Sequence, residues 1–300
     1  MAFFLWPVPE EIRHPEPAGS QLLVDRHGLP LREVLGPGHV SARVVRLEEV
    51  SPHLVQATLL SEDGRFYLHP GLDPVAVLRS LYLNARSGRV VAGGSTLTQQ
   101  LVRNLVPLSD RSWSNKLREA FYALRLEAAL SKREILELYL NRVPYGNQAL
   151  GIEAASQLYF DRPARALSPA QAAFLAVLPR APGLYNPYTG LDEILPLQRQ
   201  LLNRMGEKAL LTEEQLRLAL AEPILPEPPR GAFEAPHFCD LLQQRGVQGA
   251  TVRTTLDLSL QREVEGLLRA HLGRLEEHRV TNGAVLVLDV ETGEVLAMAG

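Results

Sequence analysis

Thirteen residues, Ser61 to Asp73, hold three carboxylates (Glu62, Asp63 and Asp73), Arg65, His69, two aromatics and two glycines. An apolar helical segment ending Ala57-Thr58-Leu59-Leu60 leads into them. A helix that delivers an adjacent acidic pair into a Gly-bearing loop sets a carboxylate at the wall of a cleft, where it can act as a general base. A second cluster, Gly93-Gly94-Ser95-Thr96, opens a helix carrying Thr98, Gln99, Gln100 and Arg103. Free N–H groups, hydroxyls and the positive end of the dipole predict an anion site there, against the alternative of an ordinary Ser-capped helix. A third candidate, Glu119, lies on a helix expected over 115–130, one turn after Lys116. Leu117, Phe121, Leu124 and Ala128 share one face of that helix; Glu119, Tyr122, Ala123 and Leu126 share the other. Two apolar faces predict a sandwiched helix with Glu119 drawn inside. The alternative for Glu119 is a structural ion pair with Lys116.

These groups need elements to hold them. Ser51-Pro52 is an N-cap and N1 pair for the helix leading to Glu62. Asp73-Pro74 starts a second helix, to about Asn84, with Val75, Leu78, Leu81 and Tyr82 on one side and Arg79, Arg86 and Arg89 in or just after it. It reads as a surface helix or as one resting on a membrane surface. Ser131-Lys132-Arg133-Glu134 caps a helix running to Asn141. Helices follow over 151–158, over the small-residue stretch 170–178, and over 195–220. Gln21–Gly28 and Val44–Leu47 read as short strands. Prolines crowd 223–236 and mark a boundary. Beyond it, a strand over 252–256, a helix over 258–275 and a hairpin over 283–299 are expected.

Three hundred residues fit one large domain or two medium ones. A net charge of -3 gives no basic footprint for nucleic acid. The single cysteine, Cys239, excludes an intrachain disulfide, and no Cys/His spacing resembles a zinc site. No apolar run approaches the roughly 18–20 residues of a membrane-spanning helix.

Taken in order, Glu62-Asp63…Phe66…His69…Gly71…Asp73, Gly93-Gly94-Ser95-Thr96…Thr98-Gln99-Gln100, Lys116…Glu119 and Glu134-Ile135-Leu136…Tyr139-Leu140-Asn141…Gly146 resemble four successive motifs of the family 51 peptidoglycan glycosyltransferases. Ala176…Leu178-Pro179…Pro182…Tyr185-Asn186-Pro187 resembles a fifth region. Residues 254–298 resemble the beginning of the transpeptidase domain of class A penicillin-binding proteins, and Asp25-Arg26-His27-Gly28-Leu29-Pro30-Leu31 is similar to the 1C type. Three features depart from the family pattern: Gly94 stands where alanine is usual, Asn115 where arginine is common, and no Ser-x-x-Lys tetrad occurs in the 300 residues.

The resemblance implies a mainly α, lysozyme-like helical glycosyltransferase domain followed by a short α+β piece of an incomplete transpeptidase domain. The expected organisation is an N-terminal linker or anchor remnant with short strands over 1–44, the glycosyltransferase over 45–225, a Pro-rich linker over 226–250, and the start of the transpeptidase over 251–300. The implied reaction polymerises lipid II into glycan strands with inversion and release of undecaprenyl pyrophosphate. Glu62 and Glu119 are the implied catalytic residues. Ser95, Thr96, Gln99, Gln100, Arg103, Lys116, Arg65 and Arg111 are implied to hold substrate or pyrophosphate, with Asp63, Phe66, His69, Gly71, Asp73 and Asn141 in support. No cofactor is obligatory, with an optional Mg or Mn ion at the pyrophosphate. The implied partners are lipid II, the growing glycan strand, the membrane surface and other cell-wall synthesis proteins. The implied location is the periplasmic face of the cytoplasmic membrane, with the anchor outside these residues. Two other readings stand beside this one: a lysozyme-like lytic enzyme, and a non-catalytic membrane-surface module.

Overall fold

The computed structural model describes residues 19–36, 40–88, 93–106, 113–181, 184–228, 234–275, 278 and 280–300. It is mainly α, with eleven α-helices among the described residues. The protein divides into two compact units, one over 42–229 and one formed by 19–41 with 230–300. Strands expected in an N-terminal linker thus belong to the second unit. So does a helix, Pro236–Gln244, inside the expected Pro-rich linker.

The first unit holds nine helices among its described residues: α1 Pro52–Glu62, α2 Pro74–Ser87, α3 Leu97–Leu105, α4 Trp113–Ala129, α5 Lys132–Arg142, α6 Ile152–Phe160, α7 Pro169–Val177, α8 Leu191–Glu207 and α9 Glu213–Ala221. Their starts follow local chemistry. Thr96, Ser131, Ser168 and Thr212 each form a capping box with a Gln or Glu three residues on. Helix α1 packs on α7 and α8, and α3 packs on α4 and α5. Four alanines of α7 (170, 172, 173 and 176) are buried and let its neighbours approach closely. Tyr139, Tyr145, Tyr159, Phe66 and Phe174 fill the core. Each fully buried Leu or Phe of such a core contributes about 1.5–3 kcal/mol of transfer free energy.

Helix α4 departs from the sandwiched arrangement. Ala123 and Leu126 are fully buried, while Leu117 is 70% and Leu124 43% exposed. Only the face that meets α3 and α5 is covered, and Glu119 goes in with it. The expected strand over 44–47 does not form either. Its backbone is taken by side chains of α5: Asn141 Nδ2 donates to Val45 O (2.8 Å), Val45 N–H donates to Asn141 Oδ1 (2.9 Å), and Leu47 N–H donates to Glu137 Oε2 (2.7 Å). Asn141 thus pairs an extended segment as a neighbouring strand would, and no sheet is needed.

In the second unit, β1 Gln21–Val24 lies between β2 Pro30–Val34, antiparallel, and β3 Thr251–Arg253, parallel. Strands β4 Val285–Leu288 and β5 Val295–Ala299 make the expected hairpin. Helix α10 Pro236–Gln244 packs on β2 and β5, and α11 Leu258–Arg274 packs on β5. The amide of Gln261 holds the β5 edge, donating to Met298 O (2.9 Å) and accepting from Met298 N–H (2.8 Å).

Candidate active site

Glu62 is the last residue of α1 and lines a cavity of about 420 Å³ with Ser95, Thr96, Arg79, Arg180 and Arg204. Its side chain is 7% exposed. Gln100 Nε2 donates to Oε2 (3.0 Å), while Ser61 Oγ (3.0 Å) and Arg180 Nε (3.2 Å) donate to Oε1. Tyr139 Oη donates in turn to Gln100 Oε1 (3.3 Å). Burial pushes the Tyr139 phenol well above its usual pKa, and the Glu62 carboxylate adds to the rise. It is therefore a fixed donor that orients the Gln100 amide, and Gln100 orients Glu62.

Glu119, on α4, is buried at 3% exposure. Arg103 from α3 grips it with Nε to Oε2 (3.0 Å) and Nη2 to Oε1 (3.2 Å). Lys116 Nζ donates to Glu119 Oε1 (2.5 Å) and to Ser95 Oγ (2.9 Å). Two cations on one carboxylate leave a positive excess, and both cations are roughly half exposed. Ser95 links this cluster to the wall of the Glu62 cavity.

The start of α3 is not an open anion cradle. Thr96 N–H donates to Gln99 Oε1 (3.0 Å), Leu97 N–H to Asp63 Oδ2 (3.0 Å) and Gln99 N–H to Thr96 Oγ1 (3.2 Å). Thr96 Oγ1 donates to Gly71 O (2.6 Å). Thr96 and Gln99 are spent on the cap and Gln100 serves Glu62, which leaves Lys116, Arg103 and Ser95 as the polar cluster beside the cavity. Arg65 sits 3.0 Å from Asp73 without hydrogen-bond alignment and lines the cavity. Arg111 lies outside the described residues.

The loop between Glu62 and α2 is tied down from several sides. Asp63 takes His69 Nε2 (3.0 Å), and His69 Nδ1 accepts from Gly71 N–H (3.2 Å). Lys132 donates to His69 O and to Glu127 (2.7 Å each) and stands 4.2 Å over the ring of buried Phe66. Gly71 has φ +93°, and a Cβ there would lie 2.9 Å from Glu127 Cγ and 3.0 Å from Ala123 O, so no other residue fits. Asp63, His69 and Asp73 each bring a ligand atom within 4.8 Å of the others; both Asp63 oxygens and both His69 ring nitrogens serve this network, and Asp73 Oδ1 serves the α2 cap.

Asp73 caps α2, accepting from Val75 N–H (3.0 Å) and Ala76 N–H (3.1 Å). Burial pushes its carboxyl up, but the Ala76 N–H, Arg65 and the Val75 N–H outweigh this and hold it below its ordinary value. A depressed folded-state pKa means stability that is present above the ordinary carboxylate value, about 4, and is lost as pH falls through the folded one. Thermal melts of the wild type and of Asp73→Asn will therefore differ at neutral pH and converge below about pH 4. A constant gap across that range would remove Asp73 from this role.

Gly94, where the family resemblance leads one to expect alanine, has a steric cause. A Cβ there would lie 2.9 Å from Val77 Cα, 3.0 Å from Ser80 Oγ and 3.2 Å from Val77 Cγ2. Helix α2 approaches the segment before α3 too closely for a methyl. Gly94→Ala will cost about 1–3 kcal/mol of stability, read as a lower Tm; an unchanged Tm would mean that α2 yields freely.

Three cavity residues were not legible as site residues in the sequence. Arg180 follows α7, Arg204 is on α8, and Arg79 reads from the sequence as part of a surface helix or of one resting on a membrane surface. Arg180 sits inside the fifth motif region, which was the one available signal. Arg204 carried none.

A family model described as Transglycosylase matches residues 28–206. The protein is 36% identical over 285 residues to Penicillin-binding protein 1C of Escherichia coli (strain K12), covering 95% of its own length and 36% of that relative. It is 35% identical over 240 residues to Penicillin-binding protein 1A of Aquifex aeolicus (strain VF5), covering 77% and 33%. A 2.6 Å crystal structure of Penicillin-binding protein 1A from Haemophilus influenzae aligns at 21% identity with a TM-score of 0.46, covering 92% of the present sequence and 32% of that one. The 300 residues thus span about a third of the length of these relatives.

Proposed function

The protein belongs to the transglycosylase family, and from that premise we propose that it polymerises lipid II into peptidoglycan glycan strands. Glu62 takes the proton of the acceptor's sugar 4-hydroxyl. The oxygen attacks the anomeric carbon of the donor, and the carbon–oxygen bond to pyrophosphate breaks with inversion. Undecaprenyl pyrophosphate leaves with the bonding electrons. Negative charge grows on that leaving group, so cations and hydroxyl donors matter more than a strong acid. One observation carries the reading: Ser95 both walls the Glu62 cavity and bonds Lys116, which joins the base to a cation cluster of Lys116, Arg103 and Glu119.

Both oxygens of Glu119 already accept from Arg103 and Lys116, so the protein's own cations come first at the pyrophosphate and an Mg or Mn ion is optional. The reaction as proposed draws on the protein's own cations. A lysozyme-like hydrolase would have no use for that cluster, which ranks that reading lower.

We place the protein at the periplasmic face of the cytoplasmic membrane. The support is an exposed apolar surface beside the cavity: Leu78 (67%), Leu81 (60%) and Tyr82 (62%) on α2, with Leu68 (73%) in the preceding loop. Among the described residues no helix is long and apolar enough to cross a membrane. Labelled lipid II tests the function. Long glycan is expected; cleavage of preformed glycan, or neither product, overturns the proposal.

A further inference from the structure

Helix α1 ends in a way its own sequence does not provide for. The last carbonyls of a helix have no intrahelical partner and usually take water or a Gly-based cap. Here Leu59 O accepts from Asp63 N–H (2.9 Å), while the next two carbonyls are met by guanidinium groups far along the sequence. Arg204 Nη2 donates to Leu60 O (2.9 Å) from 144 residues away, and Arg180 Nη2 donates to Ser61 O (2.9 Å) from 119 away. Through Nε the same Arg180 reaches Glu62 Oε1 (3.2 Å). The negative end of a helix repels a carboxylate and favours cations, so Glu62 occupies a position that its own helix disfavours and that two arginines offset.

We propose that the guanidinium groups of Arg180 and Arg204 together cap the C-terminus of α1, and that Arg180 is a positioning residue that fixes the rotamer of Glu62. The proposal rests on the reading of Glu62 as the base. An ionised carboxylate offers about four acceptor sites. Ser61 and Arg180 fill those of Oε1, and Gln100 fills one on Oε2. One site on Oε2 remains for a sugar hydroxyl. Arg180 itself stands on a firm base: it ends the turn Leu178–Arg180, behind fully buried Val177 and Leu178. Burial, with Arg180 and Arg79 nearby, pulls the Arg204 guanidinium below its ordinary pKa against the opposing pull of Glu207. The cap is thus crowded with like charge and held in place by the carbonyls it serves.

The test uses the 300-residue protein, with lipid II kinetics and thermal melts of Arg180→Ala, Arg180→Lys, Arg204→Ala, Glu62→Gln and the double variant Arg180→Ala/Arg204→Ala. Loss of alignment alone can cost on the order of 100-fold, so Arg180→Ala is expected to lower kcat about 10- to 100-fold with KM within about twofold. Arg180→Lys should recover part of that loss. In the melts, Arg180→Ala and Arg204→Ala should be non-additive, because the two guanidinium groups cap adjacent carbonyls of one helix end. A raised KM at unchanged kcat would make Arg180 a substrate-binding residue and overturn the proposal. Additive melts would overturn the cap whatever the activity. Failure of the base assignment is read separately, from the activity of Glu62→Gln alone.

Discussion

Glu62→Gln will lower the rate of glycan synthesis by about 10²–10⁴-fold, the range a positioned general base supplies. The substitution keeps shape and volume but removes the lone-pair basicity that accepts the acceptor's proton. It will not unfold the protein. The amide oxygen can still accept from Arg180 and Ser61, but the amide nitrogen then faces Gln100 Nε2, donor to donor. Losing that one hydrogen bond costs about 1 kcal/mol, so the melt will shift only slightly. Single-turnover consumption of labelled lipid II is the direct measurement. Polymerisation at the wild-type rate would show that the base lies elsewhere.

The second large effect is expected at Lys116. Lys116→Ala removes the ammonium that joins Ser95 to Glu119, and with it one of the two cations proposed to meet the leaving pyrophosphate. Loss of one such charge-stabilising donor is typically worth about 10²–10³ in kcat, and a loss of that size is expected here. The stability effect is smaller than for an isolated buried pair, because Arg103 still grips Glu119 with two N–H groups. Breaking a buried pair outright would cost about 3–5 kcal/mol. Lys116 and Glu119 act as one unit, so Lys116→Ala/Glu119→Gln should lose little more than the worse single variant. Multiplicative losses in the double variant would show that the two residues act independently.

Much of this was legible in the sequence because it is local chemistry. Thr96 with Gln99, Ser131 with Glu134 and Asp73 before Pro74 announce helix starts within four residues. Lys116 and Glu119 lie one turn apart on a helix, so their pairing follows from helical geometry alone. The ordered motifs pointed to Glu62 and Glu119 as the carboxylates of interest and to a mainly α fold. The residue types at 93–103 named a cluster of polar groups but not the division of labour among them. Gln99 and Gln100 are neighbours, yet one closes the α3 cap and the other holds Glu62, since successive helical residues point about 100° apart.

What only the tertiary structure decided rests on pairings between residues distant in sequence. The parallel pairing of β1 with β3 joins Leu22 to Thr251, and nothing local in either strand names its partner. The segment 44–47 has strand-like residues, but α5 supplies its hydrogen bonds, so propensity was outvoted by what lay beside it. Gly94 was an anomaly until the approach of Val77 gave it a cause. Only the folding of α7 and α8 against α1 brings Arg180 and Arg204 to the end of the helix that carries Glu62. The sequence by itself determined which carboxylate to look at. The tertiary structure decided how that carboxylate is held, because the groups that hold it reach it only through the packed core.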